Sequence, residues 1–449
     1  MKKVIPENLC RLAEFFPFPL YLVGGSVRDH LAGLSLPQNA DWDICAPAAE
    51  EDLLTAAQRA GFRVRAVYRN TGTVKLQDNE GADYEFTRFR SDKYVRGAHT
   101  PSEIIFTDDM QKDAVRRDFC ANAVYYDIRA EQFFDPLGGI SDIQKKLLRT
   151  VAPARKVFGE DGLRLMRLAR QSAETGFTPD GECLAGAREH AALIKDIAPE
   201  RVYAELVRLL RSDGKRGDGS APYRGLCILR ETGVLKHVLP ELALGENMRQ
   251  REDFHRYDVL EHSFRCVRYA PPEIRFAALL HDAGKPYCYL RDGNFYEHAK
   301  EGARIAEKIL TGLKAPKKLI VETKTLVSLH MKDYNLQMRP NKIRRTIVEY
   351  FPYIEALLAL FQADFSACKD DTSPAPAAVK WRNVLNGMKA ERAPRCMKEL
   401  NANGDDLLKI GIRSTKLSSV LKELLDYAAL DGTRNRREIL TEYARKHYL

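Results

Sequence analysis

No apolar run in this 449-residue chain approaches the ~20 residues that a membrane-spanning helix requires. The opening stretch Met1-Lys2-Lys3-Val4-Ile5-Pro6 lacks the apolar segment of a secretory leader. Metal-type CxxC pairs are missing: the nine cysteines are scattered, which favours reduced thiols in a cytoplasm over a disulfide framework. Internal repeats and extended low-complexity tracts are absent, which excludes a repeat array. Tryptophan is scarce, and Trp42 and Trp381 read as packing or loop aromatics rather than stacking platforms. What is present is ordinary for a soluble protein, with 45% apolar and 30% charged residues. The length suggests two to four domains. The net charge of +9 is modest, but its distribution is uneven. Between Lys145 and Arg170 lie eight basic residues (Lys145, Lys146, Arg149, Arg155, Lys156, Arg164, Arg167, Arg170) against Glu160 and Asp161. That bias points to an anionic partner, nucleotide phosphates or a nucleic-acid backbone.

The most informative segment is Leu22-Val-Gly-Gly-Ser-Val-Arg-Asp29, followed by Asp41-Trp-Asp43. An apolar run that meets Gly24-Gly25 predicts a strand ending in a turn that opens a helix. There the backbone and Arg28 can approach a phosphate. If Asp41-Trp-Asp43 is extended, its two carboxylates face the same way and can hold hard divalent cations. Asp83 and Glu85 stand at i and i+2 of a further strand. Glu85, between apolar Tyr84 and Phe86, is the favoured third acid, although an ordinary exposed strand acid fits the pattern as well. Arg116-Arg117-Asp118 offers two guanidiniums to a triphosphate, or a surface ion pair. Asp161, Arg164, Arg167 and Arg170 recur every third residue of a predicted helix. An acid and a guanidinium on one turn can read a base edge while the further arginines reach phosphates.

Strand-like runs at 20–23, 43–45, 63–67, 73–76, 83–89 and 123–127 predict an α+β head of about 140 residues with a mixed sheet. The Pro- and Gly-containing stretch Phe133–Gly139 reads as a loop, after which the pattern is helical. Periodicity is clear over 162–175, 199–211, 274–280, 302–313 and 417–427. The polar, Gly-rich 211–220 reads as a loop.

Taken in order, Gly-Gly-Ser-Val-Arg-Asp with Asp41-x-Asp43, Arg-Arg-Asp-Phe-Cys-Ala-Asn-Ala, Asp135-Pro-Leu-Gly-Gly, Glu-Asp-Gly-Leu-Arg and Pro-Glu-Arg-Val-Tyr-Ala-Glu-Leu resemble the motif set of class II CCA-adding tRNA nucleotidyltransferases and bacterial poly(A) polymerases. Asn403-Gly-Asp-Asp-Leu-Leu-Lys-Ile-Gly411 resembles the tail of longer bacterial members. The resemblance implies a small polymerase-β-like nucleotidyltransferase head (1–140), an all-helical neck and body (141–245), a third domain (246–345) and a helical, RNA-binding tail (346–449). It implies template-independent addition of CCA to tRNA 3′ ends from CTP and ATP, with no role for DNA or a membrane. Asp41, Asp43 and Glu85 would be the catalytic acids, the first two holding Mg²⁺. Gly25, Arg28 and Arg117 would contact the nucleotide. Asp161 and Arg164 would act as the protein template, and Arg167 and Arg170 would support the phosphates. Cys120-Ala121 replaces the family's usual Thr-Ile. The loop Arg96-Gly-Ala-His-Thr-Pro101 departs from the usual Gly-Arg-Arg/His-Pro of a segment tied to the switch from C to A. Poly(A) synthesis, or addition of only CC or A, is therefore the alternative.

Residues 255–335 hold a second constellation: His262, His281-Asp282 at the end of an apolar helix, His298, His330 and Asp333. Leu280-His-Asp-Ala-Gly-Lys-Pro286 resembles the HD phosphohydrolase superfamily. That resemblance implies a second divalent metal held by His262, His281, Asp282 and Asp333, with His298 and His330 able to make the site binuclear. A reading of a different class makes the chain an HD phosphohydrolase whose head only binds RNA. His237, His255 and the cysteines are assigned no chemistry.

Overall fold

The structure, a computed structural model, describes residues 1, 4–34, 36, 42–93, 102–215, 219–251, 253 and 255–449. Asp41 and the loop 96–101 lie outside these residues. The chain forms two compact units, Met1–Ala243 with Gly312–Lys314, and Leu244–Thr311 with Ala315–Leu449.

The first unit opens with the head. Its strands are β1 (Tyr21–Leu22), β2 (Trp42–Ala46), β3 (Arg63–Tyr68), β4 (Thr73–Gln77), β5 (Asp83–Arg88), β6 (Arg90–Lys93), β7 (Glu103–Phe106), β8 (Tyr125–Asp127) and β9 (Gln132–Phe134). Seven of them make one mixed sheet in the order β3-β4-β5-β2-β1-β8-β9, and β6 pairs with β7 apart from it. The β2–β5 pair is parallel and its register sets Asp43 beside Glu85. Alternation does the rest. Trp42 and Ile44 on β2, and Tyr84 and Phe86 on β5, are buried, so Asp43 and Glu85 emerge together on the opposite, exposed face. Each fully buried aromatic or aliphatic side chain contributes about 1.5–3 kcal/mol, so a one-residue slip that exposed this set would be strongly disfavoured.

β9 is a departure from the sequence reading, which left Phe133-Phe134 in a loop. Phe133 pairs with Tyr126 across the strands, ring centroids 4.8 Å apart. That aromatic pair holds the strand until the turn residues begin at Asp135. β6 and β7 carry no apolar alternation that would have announced them.

Beyond the head the first unit is helical except for a short parallel pair, β10 (Leu147–Leu148) with β11 (Thr178–Pro179), which the all-helical expectation did not include. Its central element, the neck helix Leu163–Thr175, is buried on nearly every side, with only Arg167 part-exposed. It packs against Pro199–Leu210 and Ala221–Glu231 and ends at Gly176 in the left-handed conformation.

The second unit is all helical among the described residues. Val259–Tyr269 lies against Ile354–Lys369 and Arg275–Leu280. The segment after His281-Asp282 runs so close to the helix His298–Gly312 that a Cβ on Gly284 would sit 2.2 Å from the His298 carbonyl oxygen. Only glycine allows that approach. The last helices, Leu417–Ala429 and Arg437–Tyr448, close around Leu424, Leu425 and Leu440.

Candidate functional site

β1 delivers the chain to Gly24 at φ +82°, and the helix Gly25–Leu31 starts immediately after it. A Cβ on Gly24 would lie 3.0 Å from Asp43 Oδ2, so this glycine both supplies the left-handed turn and leaves room for the Asp43 carboxylate. Glu85 stands level with Asp43 across β2–β5, and its Oε2 lies 3.4 Å from Lys75 Nζ in a half-exposed ion pair. Oxygen donors on adjacent, exposed strand positions suit a hard divalent cation.

Facing these acids is a cleft of about 1030 Å³, lined by Gly25, Arg28, Asp43, Glu85, Arg117, Asp161, Arg164, Arg167 and Arg170 among others. Every site residue that the sequence assigned to nucleotide binding opens onto it, together with the two described acids. Arg28 is buried. Its Nε and Nη2 donate to Asp29 Oδ1 at 2.8 and 2.6 Å, and its Nη1 donates to Asn122 Oδ1 at 2.7 Å and Gln171 Oε1 at 3.1 Å. Arg117 donates to Asp113 Oδ2 at 2.8 Å, and the Tyr125 hydroxyl donates to the same oxygen at 2.7 Å. Arg116 takes the other carboxylate oxygen at 2.7 Å. Burial opposes the charge of Asp113, yet Arg117 and Arg116 hold its carboxyl well below the usual range. Asp113 thus fixes two adjacent guanidiniums at the cleft wall.

The neck helix contributes the remaining wall. Asp161 lies just before it and accepts from the Leu163 N–H through Oδ1 at 2.9 Å, as a helix-capping acid does. Arg164 donates to the carbonyls of Val157 at 3.0 Å and Arg116 at 2.7 Å, and to Glu160 at 3.3 Å. Its plane is therefore set before any ligand arrives. Arg167 Nη2 pairs with Asp118 Oδ2 at 2.6 Å. Burial pushes the Asp118 carboxyl up, but Arg167 and the Asn122 amide hold it well below its ordinary value. Arg170 lies deeper. It bonds Glu205 at 2.5 Å and Glu174 at 2.7 Å, which ties the neck helix to Pro199–Leu210. The expectation of phosphate support by Arg170 therefore meets a guanidinium already engaged by two carboxylates.

Sequence reasoning missed Gln171. Its Oε1 accepts from Arg28 and from Asn122 Nδ2, the latter at 2.7 Å, and its Nε2 donates to Asp118 Oδ2 at 3.0 Å. One amide thus joins the neck helix to three polar residues of the head. The available signal was its spacing, four residues after Arg167 and seven after Arg164, which places it on the same helical face.

The second unit gathers the histidines. His262 Nε2 lies 2.9 Å from Asp364 Oδ1 and 3.2 Å from His281 Nε2. His281 Nε2 is 3.2 Å from Asp282 Oδ2, while His298 and His330 Nε2 are 3.4 and 3.7 Å from Asp282 Oδ1. Asp282 therefore spans two groups with its two oxygens. The Nδ1 atoms of His281, His298 and His330 lie 2.8, 2.7 and 2.7 Å from the carbonyls of Ala278, Phe295 and Val327. A carbonyl only accepts, so each Nδ1 carries the proton and each Nε2 turns inward. His298 and His330 then oppose their Nε2 atoms at 3.2 Å beside a carboxylate, an arrangement that a divalent cation relieves. Burial drives the His298 imidazole down to about 4, which keeps its Nε2 lone pair available. Among the described residues, His262, His281 and Asp282 form one group able to hold an ion, and Asp282, His298 and His330 form another.

Asp333 is not part of this cluster. It stands at φ +61° beyond the helix Lys317–Leu329, and its carboxylate accepts from the Met338 N–H and from Trp381 Nε1, with Lys380 Nζ at 2.8 Å. Its place is taken by Asp364 from Ile354–Lys369, a helix the sequence reading put in the tail. Asp364 was visible as a lone acid within Leu360-Phe-Gln-Ala-Asp-Phe. His255, assigned no chemistry, packs its ring edge-on to His262 with centroids 4.8 Å apart.

A parallel strand pair that presents acids to an arginine-lined cleft, joined to a helical neck, is the architecture of a nucleotidyltransferase. Family models agree: residues 20–149 match the poly A polymerase head domain, 176–244 the probable RNA and SrmB-binding site of polymerase A, and 255–357 the HD domain. The chain thus carries, in order, a poly A polymerase head domain, the RNA-binding region of that polymerase and an HD domain. It is 29% identical over 436 residues to an A-adding tRNA nucleotidyltransferase of Deinococcus radiodurans, covering 92% of this chain and 93% of the relative. It is 33% identical over 284 residues to the multifunctional CCA protein of Xanthomonas campestris pv. campestris, covering 59% of this chain and 63% of that protein. The crystal structure of the Bacillus stearothermophilus CCA-adding enzyme in complex with CTP shares the fold, with a TM-score of 0.68 at 23% identity over 98% of this chain and 99% of that one.

Proposed function

We propose that this enzyme rebuilds the 3′-terminal CCA of tRNA from CTP and ATP without a nucleic-acid template. The observation that supports this reading is the single cleft onto which Asp43, Glu85, Asp161 and Arg164 all open. Asp41 and Asp43, with Glu85 as third acid, are the residues to hold Mg²⁺. When bound, Mg²⁺ would supply charge neutralisation at the reacting phosphate and activation of the attacking hydroxyl. The protein's own part is placement. Gly25, Arg28 and Arg117 receive the triphosphate. Asp161 and Arg164 present acceptors and donors to the base edge, held in plane by the Leu163 N–H and by the Val157 and Arg116 carbonyls. Arg167 adds a guanidinium behind them, while Arg170, held by Glu205 and Glu174, braces the neck helix. We assign 1–140 as the head and 141–245 as neck and body; the sequence division at 345 between HD domain and RNA-binding tail moves to the end of Ile354–Lys369, the helix that brings Asp364 to the HD cluster. The nine free cysteines fit a reducing cytoplasm, and no described helix is long and apolar enough to cross a membrane.

The experiment is the product ladder from purified protein, tRNA ending at the discriminator base, -C or -CC, and CTP or ATP singly and together. Stepwise CC and then A from the shortest substrate is the expected result. A homopolymeric A product on generic RNA would overturn it. One observation favours a second reading: the relative aligned over nearly its full length is named A-adding. Extension of only the -CC substrate, with ATP alone, would establish that narrower activity.

For the HD domain we propose metal-dependent hydrolysis of phosphates at RNA ends, with His262, His281, Asp282 and Asp364 at one cation and Asp282, His298 and His330 at the other. Release of phosphate, or opening of a 2′,3′-cyclic phosphate, should be abolished by His281→Ala with CCA addition intact.

A further inference from the structure

His262 has two ring nitrogens and the HD cluster uses one of them. Nε2 faces Asp364 and His281, whereas Nδ1 is buried without a hydrogen-bond partner. The residue itself is fully buried, so that nitrogen has no water to turn to. An orphaned ring nitrogen in such a place costs about 1–3 kcal/mol. The other three histidines of the cluster give their Nδ1 to a backbone carbonyl, and His262 departs from that pattern.

Beside His262 stand His255 and Cys368. Cys368 Sγ lies 3.6 Å from His255 Nδ1, close to the N–S edge of a tetrahedral zinc site. Ligand atoms of His255, His262 and Cys368 all lie within 4.8 Å of one another. Both flanking residues are only half-buried, which leaves an approach from solvent. The backbone holds the pair together: the Arg256 N–H donates to the Cys368 carbonyl at 3.0 Å, pinning the segment that carries His255 to the end of Ile354–Lys369, where the Cys368 thiol lies one turn after Asp364 and 3.4 Å from its carbonyl oxygen. Two imidazoles and a thiol form a softer donor set than the imidazole and carboxylate donors of the HD cluster.

We infer that His255, His262 and Cys368 form a third cation site, selective for a soft divalent ion such as Zn²⁺ and sharing the His262 ring with the HD cluster. Binding exchanges the Cys368 thiol proton for the ion and releases that proton to solvent, with no change of oxidation state; when His262 Nε2 also holds an HD cation, the ring bridges as an imidazolate and its one N–H proton is released as well. Nδ1 of His262 gains the partner it lacks. The shared ring gives the site a consequence: an ion on Nδ1 fixes the orientation of the Nε2 that faces Asp364, so occupancy couples to the HD cations. The site exists whether or not the HD cluster hydrolyses anything, and its test reads no hydrolysis.

Full-length protein stripped of metal is titrated with Co²⁺ and followed by absorption, then titrated with Zn²⁺. A thiolate-to-cobalt charge-transfer band in the near ultraviolet is expected, displaced by Zn²⁺. The imidazole and carboxylate donors of the HD cluster cannot produce that band. Cys368→Ser should abolish it and lower bound metal by one equivalent while the remaining equivalents stay. His255→Gln should weaken this site markedly while the HD equivalents still bind. Cys266→Ser is the control, because that buried thiol lies against His281 and should leave the band unchanged. A thermal melt run on each variant confirms folding, and Cys368→Ser and His255→Gln provide two separate routes to the answer. A wild-type titration without the band, or a band of full strength in Cys368→Ser, overturns the inference.

Discussion

Gln171 shows how far a single side chain reaches in this protein. Replacing it with leucine keeps the volume but strands acceptor and donor groups on Arg28, Asn122 and Asp118. The expected cost is about 1–3 kcal/mol by denaturant unfolding, together with a loss of nucleotidyl transfer, because Arg28 loses one of its anchors. Asp118 adds a pH dependence. Burial works against its charge, but Arg167 and the Asn122 amide outweigh it, so its folded pKa lies below the ~4 of an unfolded chain. A group with a depressed folded pKa contributes stability that is full above the unfolded value and lost as pH falls through the folded one. Asp118→Asn should therefore be most destabilising at neutral pH, and its deficit should shrink as pH falls below ~4, as read from unfolding midpoints across that range. At this scale the spacing of Asp43, Asp161 and Arg164 pointed to residues that line one cleft, and Glu85, which fitted an ordinary exposed strand acid as well, lines it too. It misdirected at Asp333, whose nearness to His330 suggested a ligand. The left-handed backbone there turns the carboxylate toward Trp381 instead.

Elements explain why those spacings work. β2 and β5 put their acids level because both strands alternate about the same buried face, and Gly24 keeps the adjoining turn out of the way. Gly24→Ala combines a left-handed φ with a methyl against the Asp43 carboxylate. We expect a stability loss of about 1–2 kcal/mol and a drop in transfer of at least tenfold, read from melting and from initial rates. The long helices and the strands β1 to β5 and β8 were legible as periodicity, whereas β6, β7 and β9 were not. The adjacency of β2 to β5 was not, because a parallel pair depends on a crossover whose path leaves no local trace. Asp364 escaped for the same reason: its helix enters the histidine cluster from far along the chain.

At the level of the whole molecule, the acids of the cleft and the histidine cluster lie in different folded units, so nucleotide transfer and the hydrolysis proposed for the HD domain should be separable. Asp43→Ala should abolish nucleotide incorporation and leave HD-dependent hydrolysis, and His281→Ala should do the reverse, each assayed on the same preparation. Chelation should silence both, and Mg²⁺ alone should restore incorporation. The order in which the acids become neighbours is a separate matter. On the ribosome β2 emerges first, then a helix and the β3–β4 hairpin, and only afterwards the strand that carries Glu85. β8, the other neighbour of β1, is made later still. Contacts so distant in sequence are slow to form and cannot begin before synthesis reaches them. A nascent chain thus carries Asp43 before its partner Glu85 exists, and nucleotide can be captured productively only after the sheet has closed and the later neck helix has supplied its arginines.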